Sequence, residues 1–106
     1  MSANPVICVG CALWDTIFSV DHIPPLSAKV LPRLAVQAAS GMATAAAISI
    51  ARLGGPVALW ARVGDDATGK MLIDNLKRSG VSTAGIQPVP GAVSYTHLTL
   101  PTSDLV

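Results

Sequence analysis

The chain has 106 residues, of which 51% are hydrophobic and 12% are charged, and its net charge is +1. Charged residues average about 25% in globular domains, so the chain carries more apolar surface than its length can bury. We interpret it as part of a larger protein, although a subunit of an oligomer would show the same excess of apolar residues. No run of basic residues occurs, which excludes nucleic-acid binding by charge.

The sequence also lacks a membrane span and an export signal. The longest run of small apolar residues, from 43 to 51, is interrupted by Thr44 and Ser49 and is too short to cross a bilayer. No charged segment precedes an apolar stretch at the N-terminus, as a signal peptide would require. We therefore expect a cytoplasmic protein that contacts neither membrane nor nucleic acid.

Three strands are predicted in the first part of the chain. Residues 6–10 form an apolar run closed by glycine, which favours a strand buried on both faces of a parallel sheet. Residues 15–21 alternate apolar and polar side chains, which indicates a half-exposed strand. Residues 29–37 alternate less regularly around Pro32, which favours an edge strand or a flap.

Two helices are predicted after the flap. An alanine-rich helix over residues 42–53 ends at a glycine pair, and residues 56–63 form a second buried strand. Asp66 is a good N-cap for a helix over residues 67–79. Residues 81–89 lead into a further strand, so the order of elements predicts an α/β fold.

The Cys8 and Cys11 pair forms a C-x-x-C pattern. A redox or metal site would need this pair at a helix start, or a second pair or a histidine at ligand spacing. Neither occurs, so we expect two buried, reduced thiols and no metal site. Of the other reactive or aromatic residues, His22 is expected on the surface or lid, and Trp14 either packs under the lid or stacks on a ligand.

Asp15 and Gly41 are candidate ligand contacts. Asp15 follows the first strand, where open α/β sheets place ligand groups, although an aspartate at such a position is often only a turn or cap residue. Gly41 starts a helix, where the backbone can approach a ligand and direct free N–H groups at its oxygen atoms.

Three motif-bearing segments follow one another in a fixed order. They are Val9-Gly10 with Asp15 and Val20-Asp21; Ser40-Gly41-Met42-Ala43-Thr44 with Arg52-Leu53-Gly54; and Arg62-Val63-Gly64-Asp65-Asp66 with Gly69 and Gly80. In this order and spacing, over residues 6–86, the chain resembles the N-terminal region of the ribokinase-like (PfkB-type) carbohydrate kinases.

The resemblance implies an incomplete ribokinase-like α/β sheet with helices on its faces and a small β lid at about residues 16–37. It implies that Asp15, Ser40 and Gly41 bind the substrate. This chain has Ser40 where the family usually has glycine, and Ala45 where the family often has a sugar-binding asparagine, so Thr44 is expected to supply a hydroxyl instead. The lid would close over the sugar, and the parent protein would be a homodimer through it.

The resemblance also implies a function. The chain would be the sugar-binding part of an ATP-dependent carbohydrate kinase that phosphorylates a sugar hydroxyl, with ATP and Mg²⁺ used by the parent protein. The family's catalytic aspartate lies in a later Gly-Ala-Gly-Asp segment that is absent here, so this chain should contain no catalytic, cofactor or metal residue and be inactive alone. The alternatives are a nucleoside kinase of the same fold and a non-catalytic sugar-binding module.

The C-terminal residues fit no pattern of the family. Residues 93–106 resemble the in-frame translation of a transposase-type sequencing adapter. We therefore expect the kinase-like domain to occupy residues 1–92 and residues 93–106 to be a non-native, poorly packed tail.

Overall fold

The computed structural model describes residues 4–25, 29–92 and 96–99. It confirms the predicted α/β fold, with a parallel sheet, two helices and a small β lid. The elements are β1 (Val6–Val9), β2 (Leu13–Ser19), β3 (Leu34–Ser40), α1 (Met42–Arg52), β4 (Val57–Gly64), α2 (Ala67–Arg78), β5 (Ile86–Val89) and β6 (Thr96–Thr99).

The parallel sheet has the strand order β1-β4-β5. β1 pairs with β4 from Val6 opposite Val57 to Val9 opposite Trp60, and β4 pairs in parallel with β5. The chain passes from β1 to β4 through the lid and α1, and from β4 to β5 through α2. Parallel neighbours require such crossovers. Neither helix in the described part of the chain is long and apolar enough to span a membrane.

One face of this sheet carries the core. Leu59 on β4 and Leu72 and Leu76 on α2 are fully buried, and they belong to one cluster with Ala47 of α1. Successive strand residues point to opposite faces, so Trp60 lies on the other face, where it is 50% exposed. That second face is apolar and open, and it also includes Ile7 and Val9 of β1, which are exposed.

The lid is built from β2 and β3, which pair antiparallel from Leu13 opposite Ser40 to Ser19 opposite Leu34. Both strands begin and end differently from the sequence prediction: β2 begins two residues earlier, and β3 ends at Ser40. β3 begins after the irregular region around Pro32 and continues three residues beyond its predicted end. The pairing with β2 explains this extension, because each added residue gains a partner across the ladder. Arg33 closes the base of the loop by donating its N–H to the Ser19 carbonyl at 2.9 Å.

The lid sheet has a third strand, β6, which lies parallel to β2. Thr96 pairs with Trp14, and Thr99 pairs with Ile17. These four residues belong to the tail expected after residue 92, and threonine-rich segments favour strands. The other residues of that expected tail, 93–95 and 100–106, lie outside the described residues.

Candidate functional site

Asp15 lies within β2, six residues beyond the end of β1. The sequence prediction placed it just after the first strand, at the mouth of the parallel sheet. A short connection of three residues separates the two strands, and Asp15 is the third residue of β2, the strand that was predicted to begin at Asp15. Asp15 is 9% exposed, and a carboxylate so shielded from water makes stronger hydrogen bonds than a surface carboxylate.

Ser40 lies diagonally across the ladder from Asp15. Asp15 pairs with Ala38, and Ser40 follows two residues later and pairs with Leu13. Residues two apart on a strand share a face, so the side chains of Asp15 and Ser40 lie on the same face of the lid sheet. Diagonal neighbours in an antiparallel pair are about 7–8 Å apart. The carboxylate and the hydroxyl can therefore contact one small ligand together.

Gly41 follows Ser40 directly and is the N-cap of α1. Its backbone angles are φ 109° and ψ 154°, a region that is essentially restricted to glycine. No side chain caps this helix, and its first turn contains no acidic residue. The first N–H groups of a helix have no partner within the helix, so the start of α1 presents hydrogen-bond donors beside Ser40.

The turn from β1 to β2 packs closely against the start of α1. A Cβ on Gly10 would lie 2.7 Å from the Cβ of Ala43, and a Cβ on Gly41 would lie 2.5 Å from the Cys11 carbonyl oxygen. Thr44 is fully buried, and its hydroxyl donates to that same Cys11 oxygen at 2.9 Å. The structure therefore brings together Asp15, Ser40 and Gly41, and it places the Thr44 hydroxyl inside the packing.

The structure also shows the surroundings of four residues for which the sequence suggested a structural role. Trp14 is 8% exposed and lies in the core cluster, so its role is packing, and its Nε1 has no hydrogen-bond partner among the described residues. His22 is exposed, as expected. Asp66 accepts a hydrogen bond from the Gly69 N–H at 2.7 Å, which confirms the predicted cap. Cys11 is exposed and Cys8 is half-buried, so the expectation of two buried thiols was wrong.

A cavity of about 770 Å³ lies on the other side of the β1–β2 turn. None of the four predicted substrate-binding residues lines it, although Val9, Gly10 and Arg62 of the quoted motifs do. Three separate segments form its wall. The lining residues are Val9, Gly10, Cys11, Ala12, Leu13, Trp60, Ala61, Arg62, Gly85 and Gln87.

The donor groups of this chain do not form a metal site in its described part. There, no group of three or more His, Cys, Asp or Glu side chains is arranged to hold a metal ion. The sequence contains no glycine-rich phosphate-binding loop of the P-loop type either. The described residues thus offer neither of these two arrangements, and we assign no step through ATP or Mg²⁺ to this chain.

Comparison with known proteins identifies the family. Residues 3–104 match the pfkB family of carbohydrate kinases. The chain belongs to this family. The match covers all eight helices and strands given above, and it extends through β6 into the part that the sequence prediction assigned to a non-native tail.

Sugar kinases are among the members of the family that the chain resembles. It is 34% identical to the ribokinase of Bacillus subtilis over 100 residues, which are 92% of this chain and 34% of that protein. A proposed ribokinase from Agrobacterium tumefaciens superimposes with a TM-score of 0.89 at 41% identity, over 93% of this chain and 32% of that chain. A Xylella fastidiosa fructokinase with bound ATP gives a TM-score of 0.71 at 32% identity, over 91% and 29% of the two chains.

The chain therefore spans about a third of the length of the relatives it matches. The family and the fold are shown by these matches. The activity and substrate of the whole protein are matters of proposal.

Proposed function

We propose that this chain is the sugar-binding part of an ATP-dependent carbohydrate kinase that phosphorylates a sugar hydroxyl. The observation that carries the proposal is the shared face of Asp15 and Ser40 next to the uncapped start of α1. The ribokinase and fructokinase relatives support the choice of substrate class.

Three kinds of group would hold the sugar. The Asp15 carboxylate accepts hydrogen bonds from two sugar hydroxyls, and the negative charge strengthens both bonds. The Ser40 hydroxyl donates to or accepts from a neighbouring hydroxyl. The free N–H groups of the first turn of α1 donate to sugar oxygen atoms. Acceptors on one side and donors on the other match a polyol, in which each hydroxyl both donates and accepts.

The lid would exclude water from the bound sugar. β2 and β3 carry Asp15 and Ser40, and the start of α1 follows Ser40 directly in the chain. Excluding water protects a reactive phosphoryl group from hydrolysis and strengthens the hydrogen bonds within the site. The Thr44 hydroxyl, which was expected to replace the family's asparagine, donates to the Cys11 carbonyl oxygen in this structure, so it is not among the groups proposed to hold the sugar.

Sugar titration followed by ¹⁵N–¹H NMR tests this proposal. We expect ribose or fructose to shift the amide signals of residues 40–44, and Asp15→Asn to weaken the affinity about tenfold or more because a charge-assisted hydrogen bond is lost. Asp74→Asn is the matched control, since Asp74 is exposed on α2; it should leave the affinity unchanged. Unchanged affinity in Asp15→Asn, or no response to any sugar, would contradict the proposal.

A further inference from the structure

The Thr44 hydroxyl is enclosed by the protein. Thr44 has no exposed surface, and its hydroxyl donates to the Cys11 carbonyl oxygen at 2.9 Å. A sugar could reach this hydroxyl only by separating the β1–β2 turn from α1. Separation would break the hydrogen bond between the Thr44 hydroxyl and the Cys11 carbonyl oxygen, which is costly. The geometry therefore disfavours direct contact between Thr44 and a ligand.

The Cys11 carbonyl has little freedom to move. It lies so close to Gly41 that a single added methyl group at that position would meet it at 2.5 Å. On the other side of the turn, Gly10 donates its N–H to the Trp60 carbonyl of β4 at 3.1 Å. The turn is thus held between β4 and the first turn of α1, and Thr44 supplies the side-chain hydrogen bond on the α1 side.

The turn fixes where β2 starts. Leu13 is the first residue of β2 and pairs with Ser40, and Asp15 follows two residues later. A displacement of the turn relative to α1 would therefore move the Asp15 carboxylate relative to the N–H groups of α1. A displacement of about 1 Å is enough to lower the efficiency of a site up to a hundredfold.

We propose that Thr44 is a positioning residue. Its hydroxyl sets the distance between the carboxylate of Asp15 and the donors at the start of α1 by holding the Cys11 carbonyl, and it does not itself bind the sugar. This inference rests on the proposed sugar-binding function. The sequence predicted that Thr44 binds the sugar. The structure favours a different role, because the Thr44 hydroxyl is buried and already donates to an acceptor on the protein.

Two substitutions at Thr44 separate the hydroxyl from the methyl group. Thr44→Val keeps the shape and removes the hydroxyl, and Thr44→Ser keeps the hydroxyl and leaves a small cavity. We expect Thr44→Val to weaken sugar affinity about tenfold. The sugar affinity of Thr44→Ser should stay within about twofold of that of the original chain. If stability alone governed affinity, Thr44→Ser would also bind more weakly, in proportion to its own loss of stability.

The Cys11 carbonyl ¹³C signal reports the bond directly. We expect it to shift in Thr44→Val, to return in Thr44→Ser, and to stay in place when sugar is added to the original chain. A shift on sugar addition would show that the sugar takes the hydroxyl, and Thr44 would then be a ligand. Full affinity in Thr44→Val would overturn the positioning role, as would equal loss in both variants.

The same titrations distinguish the two proposals. If Asp15→Asn weakens binding while Thr44→Val does not, the sugar site stands and the positioning role of Thr44 is wrong. If no sugar binds the original chain, the proposed function fails, and the positioning role fails with it.

Discussion

The two helices of this chain start in opposite ways. α2 begins at Asp66, whose carboxylate accepts a hydrogen bond from the N–H of Gly69 at 2.7 Å. α1 begins at Gly41, which has no capping side chain and a backbone conformation that favours glycine. Both helices have free N–H groups in the first turn, but only α2 satisfies one of them with its own N-cap side chain.

The difference separates a helix start that serves stability from the one that we propose faces a ligand. The cap of α2 is local, since donor and acceptor lie three residues apart. The start of α1 is organised instead by a distant segment, because the Cys11 carbonyl lies against Gly41 and accepts from Thr44. A cap in α1 would occupy the N–H donors that we propose bind the sugar, whereas the cap in α2 stabilises the helix.

Gly41→Ala, at the start of α1, should have the largest effect on both stability and sugar binding. The new Cβ would lie 2.5 Å from the Cys11 carbonyl oxygen in a backbone region unsuited to alanine. We expect the free energy of unfolding to fall by about 3 kcal/mol and sugar binding to be lost, as measured by urea denaturation and NMR titration. Gly54→Ala is the matched control: Gly54 also has positive φ but no atom within 4 Å of its Cβ position, so its cost should be about 1 kcal/mol.

Asp66→Ala should give an intermediate effect confined to stability. Loss of the cap removes the acceptor for the Gly69 N–H, and we expect the free energy of unfolding to fall by about 1 kcal/mol. Asp66→Asn retains an acceptor and should recover most of it. Sugar affinity, measured at a temperature where both variants are folded, should not change. Weaker binding in Asp66→Ala would mean that α2 also contributes to the site.

Met42→Asp should have the smallest effect on stability. It should stabilise the fold slightly while weakening sugar binding. Met42 is 93% exposed at the first position of α1, where a carboxylate interacts favourably with the helix dipole. We expect a gain of about 0.5 kcal/mol in unfolding free energy and a weaker sugar affinity, because the carboxylate competes for the same N–H groups. Met42→Asn is the uncharged control. Unchanged sugar affinity in Met42→Asp would indicate that these N–H groups do not face the ligand.

Local signals in the sequence predicted the secondary structure well in the second half of the chain. The Gly54-Gly55 pair correctly marked the end of α1, and Asp66 correctly marked the start of α2. Both helix ends depend on hydrogen bonds between residues a few positions apart, so a short stretch of sequence is enough to predict them. The lid strands were placed less accurately, because their limits depend on the cross-strand partner more than on their own residues.

The site was predicted in part. Asp15, Ser40 and Gly41 were chosen from the family resemblance, and the ladder between β2 and β3 brings them together. The exposure of Cys11 and the burial of Thr44 were not foreseen. Each depends on how the short β1–β2 turn docks onto α1, and no residue pattern within either segment records that contact.

The sequence by itself determined the order of strands and helices up to β5, the glycine-dependent helix start and the cap at Asp66, because these follow from local backbone conformation and apolar periodicity. Only the tertiary structure decided that the Thr44 hydroxyl faces Cys11 and that Asp15 and Ser40 share one face of the lid. The reason is physical: hydrogen bonds between segments 33 residues apart, such as Thr44 to Cys11, form only after the chain has folded back on itself.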